Sequence, residues 1–318
     1  DLRIVDLRLE RFPNRAFRGA LSAFRPDLIG ITGYTHEASA IKSLAAMAKG
    51  QRPEAAVVVG GHHASVAPAD LNTESIDAIV RGEGCGPFRS IVQTLEHKTE
   101  LGSIPGVLAT GAAFDQGKAC GWPAFPDPSS LPIPRRDLWD HRRYRSVWTT
   151  EHMDPWAALF PPVSMVRASW GCRMKCSFCV VPLLYGGKHH PRPAELVAEE
   201  IASAPARHIY FCDDENFIDS EYAWELAEQL AAREVRKRYF AWTRSTTVNR
   251  SPDLLRRWRE IGLDAAFLGF EFSSDDELRT SRKGANVAAN ERALDTLRSL
   301  GIAVHAAFMV RPEWTEAD

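Results

Sequence analysis

Between residues 28 and 110 short, wholly apolar runs are each followed by an amphipathic stretch, and after residue 163 the same alternation begins again. No other feature narrows the fold as much. A strand covered by helices on both faces reads as continuously apolar, whereas a strand with one wet face alternates. Runs such as Ala55 to Val59 and Ala78 to Val80 are of the first kind, so a parallel sheet between helix layers is expected. In the first half the pattern predicts strands at Leu2 to Leu7, Leu28 to Gly33, Ala55 to Val59 and Ala78 to Val80. Helices are predicted at Arg15 to Phe24, Glu37 to Lys49 and Phe88 to Leu95. The second half predicts strands at Val163 to Ala168, His208 to Cys212, Tyr239 to Thr243, Ala265 to Phe270 and Ile302 to Val310. Between them fall helices at Ala194 to Ser203, Glu221 to Arg233, Pro252 to Ile261 with Ser251 as cap, and Ala289 to Leu300. The fold class is therefore α/β: a doubly wound parallel sheet followed by a parallel barrel or part of one.

The two series are separated by residues 120–162, where Pro123, Pro126, Pro128, Pro132, Pro134, Pro155, Pro161 and Pro162 forbid helices and central strands. Aromatics interleave with these prolines at Trp122, Phe125, Trp139, Tyr144, Trp148 and Trp156, which marks an ordered linker; a flexible tether would be polar. The expected domains are residues 1–119, the linker 120–162, and residues 163–318. A formal net charge of −2 and a pI near 6.6 give no electrostatic case for nucleic acid or an anionic membrane. No apolar run approaches the ~18 residues of a transmembrane helix, no signal peptide is visible, and a cytoplasmic location follows as the expectation. Six cysteines, three of them clustered, do not read as a disulfide framework. Cys85, Cys120 and Cys212 read as ordinary thiols.

Ligands of parallel sheets lie beyond the carboxyl ends of the strands, and those ends carry the unusual residues here. In the first half they are Tyr34-Thr35-His36, then Gly60-Gly61-His62, then Gly82-Glu83-Gly84. Glycine there admits a ligand close to the backbone, although glycine also ends strands merely to turn the chain. No G-x-G-x-x-G occurs, which disfavours a dinucleotide. In the second half the first strand runs into Cys172-x3-Cys176-x2-Cys179, and later strands end in Asp213-Asp214-Glu215, Arg244, Glu271 and Arg311. Three thiolates on one compact loop suit an iron-sulfur cluster with one iron left open; the spacing also admits zinc, with His189 or His190 as fourth ligand. Carboxylates and an arginine around such a mouth could hold an amino-acid-like zwitterion; alternatively Asp213 or Asp214 is an N-cap or loop residue, and Arg244 or Glu271 forms an ion pair across the barrel rim.

A C-x3-C-x2-C motif with Phe178 before its last cysteine, at the end of a barrel's first strand, resembles the radical S-adenosylmethionine superfamily. With the Gly-rich sheet upstream it resembles the cobalamin-dependent branch, as do Phe211 to Phe217, Leu268 to Glu271 and Arg282-Lys283-Gly284. Lys237 to Tyr239, Thr243-Arg244, Trp258 to Glu271 and Pro312-Glu313-Trp314 look most like the hopanoid C-3 methylases. The resemblance implies a Rossmann-like cobalamin-binding domain and a partial (β/α)6 TIM-like barrel. It implies a 4Fe-4S cluster on Cys172, Cys176 and Cys179, with S-adenosylmethionine chelated to the open iron. Phe178, Asp213, Asp214, Arg244 and Glu271 would contact S-adenosylmethionine; Tyr34, Thr35, His36, Gly60, Gly61, His62, Gly82, Glu83 and Gly84 would contact cobalamin. The implied activity is methylation of an unactivated carbon through a 5'-deoxyadenosyl radical and methylcobalamin, on a small-molecule or lipid-like substrate. Electrons would come from an external one-electron reductant of flavodoxin or ferredoxin type. Alternatives are a radical cyclisation or rearrangement on the same scaffold, and a zinc-stabilised, non-catalytic cobalamin carrier or sensor. No D-x-H-x-x-G is present, so no histidine is expected on the lower cobalt face. Against the family pattern the chain is expected to be incomplete at both ends, since Asp1 is no start residue and a sixth barrel strand would lie beyond Asp318.

Overall fold

The computed structural model describes residues 1–97, 101–111, 114–115, 124–150 and 160–310. The chain divides into two compact units, residues 1–131 and residues 132–318.

The first unit is a four-stranded sheet in the order β1-β2-β3-β4, formed by Leu28–Thr32, Ala56–Gly60, Ala78–Val80 and Val107–Ala109. The first three strands run parallel in the expected way; β4 joins the edge antiparallel, pairing Ile79 with Leu108. Mixed sheets with an antiparallel edge are common in this class. The helices are α1 (Pro13–Phe24), α2 (Ala38–Gln51), α3 (His62–Val66) and α4 (Cys85–His97). Pro13 presets the first turn of α1, which buries Phe17 and Leu21 and stops at Arg25 in the left-handed region, φ 49°. Ile41, Ala45 and Ala48 of α2 close over Val57 and Val59 in the same core. The strand expected at Leu2 to Leu7 does not form: Leu2, Ile4 and Val5 are exposed, and Asp6 caps a 3-10 turn at Leu7–Leu9 instead. Arg3 and Asp6 interrupt the run, and the Asp6 carboxylate accepts the Arg8 N–H at 3.1 Å, which turns the chain before it can lie along the open edge of β1.

The second unit carries a five-stranded, all-parallel sheet in the order β11-β10-β9-β8-β5. Its strands are β5 (Val163–Val166), β8 (His208–Phe211), β9 (Arg238–Thr243), β10 (Leu263–Glu271) and β11 (Ala303–Phe308). A short antiparallel pair, β6 (Ser169–Trp170) and β7 (His190–Pro191), brackets the cysteine loop and the single turn α5 (Val181–Leu184). The longer helices α6 (Ala194–Ser203), α7 (Ser220–Ala232), α9 (Pro252–Ile261) and α11 (Val287–Ser299) fall between successive strands as expected. Two six-residue helices, α8 (Ser245–Arg250) and α10 (Asp275–Thr280), were not expected; six residues are too few to show a helical period.

Trp258 organises the layer between helices and sheet. It is almost fully buried, meets Phe211, Phe217 and Tyr239 edge-on at centroid distances of 5.7, 5.5 and 5.6 Å, and donates its indole N–H to the Ala223 carbonyl at 3.1 Å. Each edge-to-face pair adds roughly 0.5–1.5 kcal/mol beyond area burial. On the opposite face Trp148 joins Val163, Phe240, Ala265 and Ala303 at the amino ends of the strands. Its Nε1 donates to Asp264 Oδ2 at 2.9 Å, and Arg238 and Arg259 compensate the buried carboxylate. Among the linker residues described, Trp148 thus packs as ordered core; Trp122 and Trp156 lie outside the described residues.

Candidate functional site

The cysteine loop leaves the second unit's sheet immediately after β5 and β6, at the carboxyl ends of the strands, where parallel barrels place their chemistry. Gly171 starts it with φ +85°, and a Cβ there would fall on the Lys188 carbonyl, so only glycine lets the chain pass. Three tethers fix the loop. Asp213, directly after β8, accepts the Ala168 N–H at 2.8 Å and the Ser169 hydroxyl at 2.7 Å. Asp214 accepts the Gly171 N–H at 2.8 Å. Ser177 donates its N–H to the Ser281 carbonyl at 2.9 Å, which ties the middle of the loop to the segment after α10. Cys176 is buried; Cys172 and Cys179 are half-buried, and burial raises both their thiol pKa values.

Around the loop the expected polar residues fall into two groups. Arg244, at the end of β9, turns inward: Nη1 donates to Cys176 Sγ at 3.3 Å and Nη2 to the Lys283 carbonyl. Phe178, the residue before Cys179, is 44% exposed. Glu271 ends β10 with φ +69° and accepts from Lys283 Nζ at 2.7 Å in a nearly buried pair. A Cβ on Gly269 would collide with the Glu271 carboxylate, so glycine at that position makes room for the pair. Asp213 belongs to the second group, 5% exposed with both oxygens engaged in holding the strand end. Burial pushes its carboxyl up to about 6 against the Ser169 and Ala168 hydrogen bonds. Arg311 lies outside the described residues.

Lys283, Glu215 and Asn216, to which the sequence assigns no site role, complete these groups. Lys283 neutralises Glu271, and Glu215 is buried between Thr243, Thr247 and the Phe217 N–H, its pKa pushed up to about 7 by burial. Asn216 bonds across to β9 through both the N–H and the carbonyl of Trp242. Their signals were present, since Glu215 and Asn216 continue the Asp-Asp pair and Lys283 sits in Arg282-Lys283-Gly284. The partners themselves lie on distant strands.

The zinc alternative needs His189 or His190 beside the three cysteines. Among the described residues no group of three or more His, Cys, Asp or Glu converges on one point. His190 Nε2 lies 3.4 Å from the Tyr185 carbonyl, and His189 packs edge-on against Tyr222 with its pKa lowered to about 4 by burial. A cubane cluster spreads its ligands over separate irons, so the three-thiol loop with a cation against one sulfur fits it.

In the first unit the strand ends gather three loops. Tyr34, half exposed, is tilted over His62 at 4.8 Å and stacked with His36 at 6.0 Å; its N–H is held by Glu37 Oε2 at 2.8 Å. Ser65 links the second loop to the third, donating its hydroxyl to the Gly61 carbonyl and accepting the Gly82 N–H, both at 2.9 Å. Gly61 has φ +95°, and a Cβ would lie 2.5 Å from Thr32 Oγ1; its glycine is required by the neighbouring loop as much as by any ligand. Gly82 also has positive φ, +71°, while Gly60 and Gly84 have only ordinary contacts and leave open backbone at the rim. Thr35 and His36 form the 3-10 turn leading into α2, and Glu83 caps α4 through the Cys85 N–H at 2.9 Å. The strand ends of the first unit thus bring the Tyr34 ring, His36, His62 and the glycine backbone into neighbouring loops.

Known proteins carry the same two parts. Residues 1–92 match the family described as B12 binding domain, and residues 168–318 match the radical SAM superfamily. The hopanoid C-3 methylase of Methylococcus capsulatus is 30% identical over 99% of this chain and 58% of its own length. An uncharacterized methyltransferase of Pyrococcus horikoshii is 26% identical over 98% of this chain and 66% of its own. An anaerobic magnesium-protoporphyrin IX monomethyl ester cyclase of Rubrivivax gelatinosus is 25% identical over 98% and 55%. The chain thus spans between about half and two thirds of these relatives. Among solved structures, the cobalamin-dependent S-adenosylmethionine radical enzyme OxsB with aqua-cobalamin bound superposes with a TM-score of 0.73 at 17% identity. That match covers 96% of this chain and 44% of OxsB and shows a shared fold. Relatives align across nearly all of the chain, which carries a B12 binding domain followed by a radical SAM superfamily domain, the two parts that the cobalamin-dependent radical S-adenosylmethionine enzyme OxsB shares in fold.

Proposed function

We propose that the protein is a cobalamin-dependent radical S-adenosylmethionine methyltransferase acting on an unactivated carbon of a small-molecule or lipid-like substrate. The observation that carries this reading is the three-cysteine loop, fixed at the strand ends by Asp213, Asp214 and Ser281 and met there by a buried arginine. Cys172, Cys176 and Cys179 would hold a 4Fe-4S cluster and leave one iron for S-adenosylmethionine. Bound together, the cofactors supply a carbon radical and a transferable methyl group, chemistry no side chain provides at an unactivated C–H bond. Phe178 offers its open face to the adenine, while Asp214 and the Glu271–Lys283 pair offer charge to the ammonium and carboxylate ends. Asp213 acts as a positioning carboxylate, and Arg244 closes the site behind the loop. Tyr34, Thr35, His36, Gly60, Gly61, His62, Gly82, Glu83 and Gly84 would seat the corrin. An external one-electron reductant and a cytoplasmic, reducing setting that keeps the thiols free belong to the same reading. No helix among the described residues is long and apolar enough to cross a membrane.

The test is anaerobic reconstitution with iron, sulfide and cobalamin, followed by turnover with candidate substrates. Methylated product with both 5'-deoxyadenosine and S-adenosylhomocysteine is the expected result. Turnover that yields 5'-deoxyadenosine without S-adenosylhomocysteine would favour the second reading, a cyclisation or rearrangement, which the cyclase relative keeps in view. One zinc per chain with no iron-sulfur absorbance would sink both.

A further inference from the structure

The guanidinium of Arg244 is turned away from open space. It is 8% exposed, Nη1 lies 3.3 Å from Cys176 Sγ, and Nη2 is taken by the Lys283 backbone carbonyl. That carbonyl anchors the fork from behind, so its aim at the sulfur needs no bound ligand. Gly284 does not crowd the anchor: an added Cβ there would lie 4.0 Å from Nη2, an ordinary contact. The neighbouring cation, Lys283, is consumed by Glu271 at 2.7 Å. Among the described residues, Arg244 is the one cationic side chain hydrogen-bonded to a cysteine sulfur.

We infer that Arg244 is a positioning residue for the cluster ligand Cys176, and that its N–H···S bond raises the reduction potential of the cluster before S-adenosylmethionine binds. This rests on the iron-sulfur reading above. A charged donor on a ligating sulfur draws electron density from the iron and stabilises the reduced cluster, which carries one more negative charge. Burial strengthens the effect, because little water screens it. Removing the donor therefore shifts the potential downward, making the cluster harder to reduce.

The experiment is a redox titration of the reconstituted chain, followed by EPR, without S-adenosylmethionine. Arg244→Gln should show a lower midpoint potential than the unsubstituted protein, and Arg244→Lys should fall between them. Arg282→Gln, which removes an exposed positive charge on the residue next to the anchor, should leave the potential unmoved. A residue serving only to bind the carboxylate of S-adenosylmethionine would leave all these titrations alike, and that result would overturn the inference. So would an equal shift from Arg282→Gln, which would make the effect general charge rather than a bond to sulfur. Should the Arg244 variants fail to fold, 15N-arginine labelling of the unsubstituted chain decides instead. A 15N coupling to the reduced cluster in HYSCORE spectra supports the bond, and its absence overturns it. If the unsubstituted chain assembles no 4Fe-4S cluster, the functional reading fails first and the inference with it.

Discussion

Asp213 and Glu215, two residues apart after β8, are both buried and both pushed up by that burial, to about 6 and about 7. For Glu215 the sign follows from its ordinary value of 4.5. The folded state holds the proton more tightly than the unfolded chain. The associated stability is therefore fully present below 4.5 and lost as pH rises through about 7. Glu215→Gln should be nearly neutral at pH 5 and stabilising at pH 8, by at most about 3 kcal/mol on the 1.36 kcal/mol per unit conversion. An amide can keep the geometry, because Thr243 and the Phe217 N–H both donate to Oε1. Thermal melts of the cofactor-free chain across pH 5 to 8 check this; parallel curves for the two proteins would refute it. Gly171→Ala is the opposite kind of change. It places a side chain at φ +85° against the Lys188 carbonyl and should destabilise by roughly 2 kcal/mol or more while preventing cluster assembly, read as iron content after reconstitution.

Helix boundaries show what a local pattern can settle. Ala194–Ser203 and Pro252–Ile261 form over the residues their periodicity marks, because apolar face, length and terminal proline agree. The cap expected from Ser251 is absent, its side chain making no bond to the helix; Pro252 at the first position supplies the start instead. Gly19 in the middle of α1 is exposed, with nothing near an added Cβ, so Gly19→Ala should stabilise the fold by about 1 kcal/mol in denaturant melts. Trp148 makes the contrary case among loop residues. Trp148→Ala removes a buried indole and one partner of the Asp264 carboxylate, at an expected cost of about 3–5 kcal/mol, read as a lowered denaturation midpoint. A smaller loss would show that neighbouring aromatics collapse into the space.

At the scale of the molecule, each unit has its own core: Val57, Val59, Leu71 and Ile79 in one, Ile209, Phe211, Tyr239 and Trp258 in the other. A substitution at the cysteine loop should therefore spare the first unit. Cys176→Ala is expected to abolish the broad iron-sulfur absorbance while cobalamin still co-purifies in full; simultaneous loss of the corrin spectrum would mean that corrin retention depends on the loaded cluster.

The alternating apolar runs by themselves determined two α/β units with parallel strands, though not the antiparallel β4 on the edge of the first, and the spacing of Cys172, Cys176 and Cys179 marked a three-cysteine loop at the end of the first strand of the second unit. Both are local: periodicity and short spacings act through neighbours in the chain. The roles of the strand-end residues are not local. Asp213 reaches back 45 residues to Ala168, Arg244 reaches 68 to Cys176, and Ser177 meets Ser281 across 104. Identical residue types could have faced a ligand or one another. Only the packed sheet decided that Asp213 holds the loop and that Arg244 faces a sulfur. It also decided that Leu2 to Leu7, interrupted by Arg3 and Asp6, stays off the open edge of β1, where the Asp6 cap turns the chain instead.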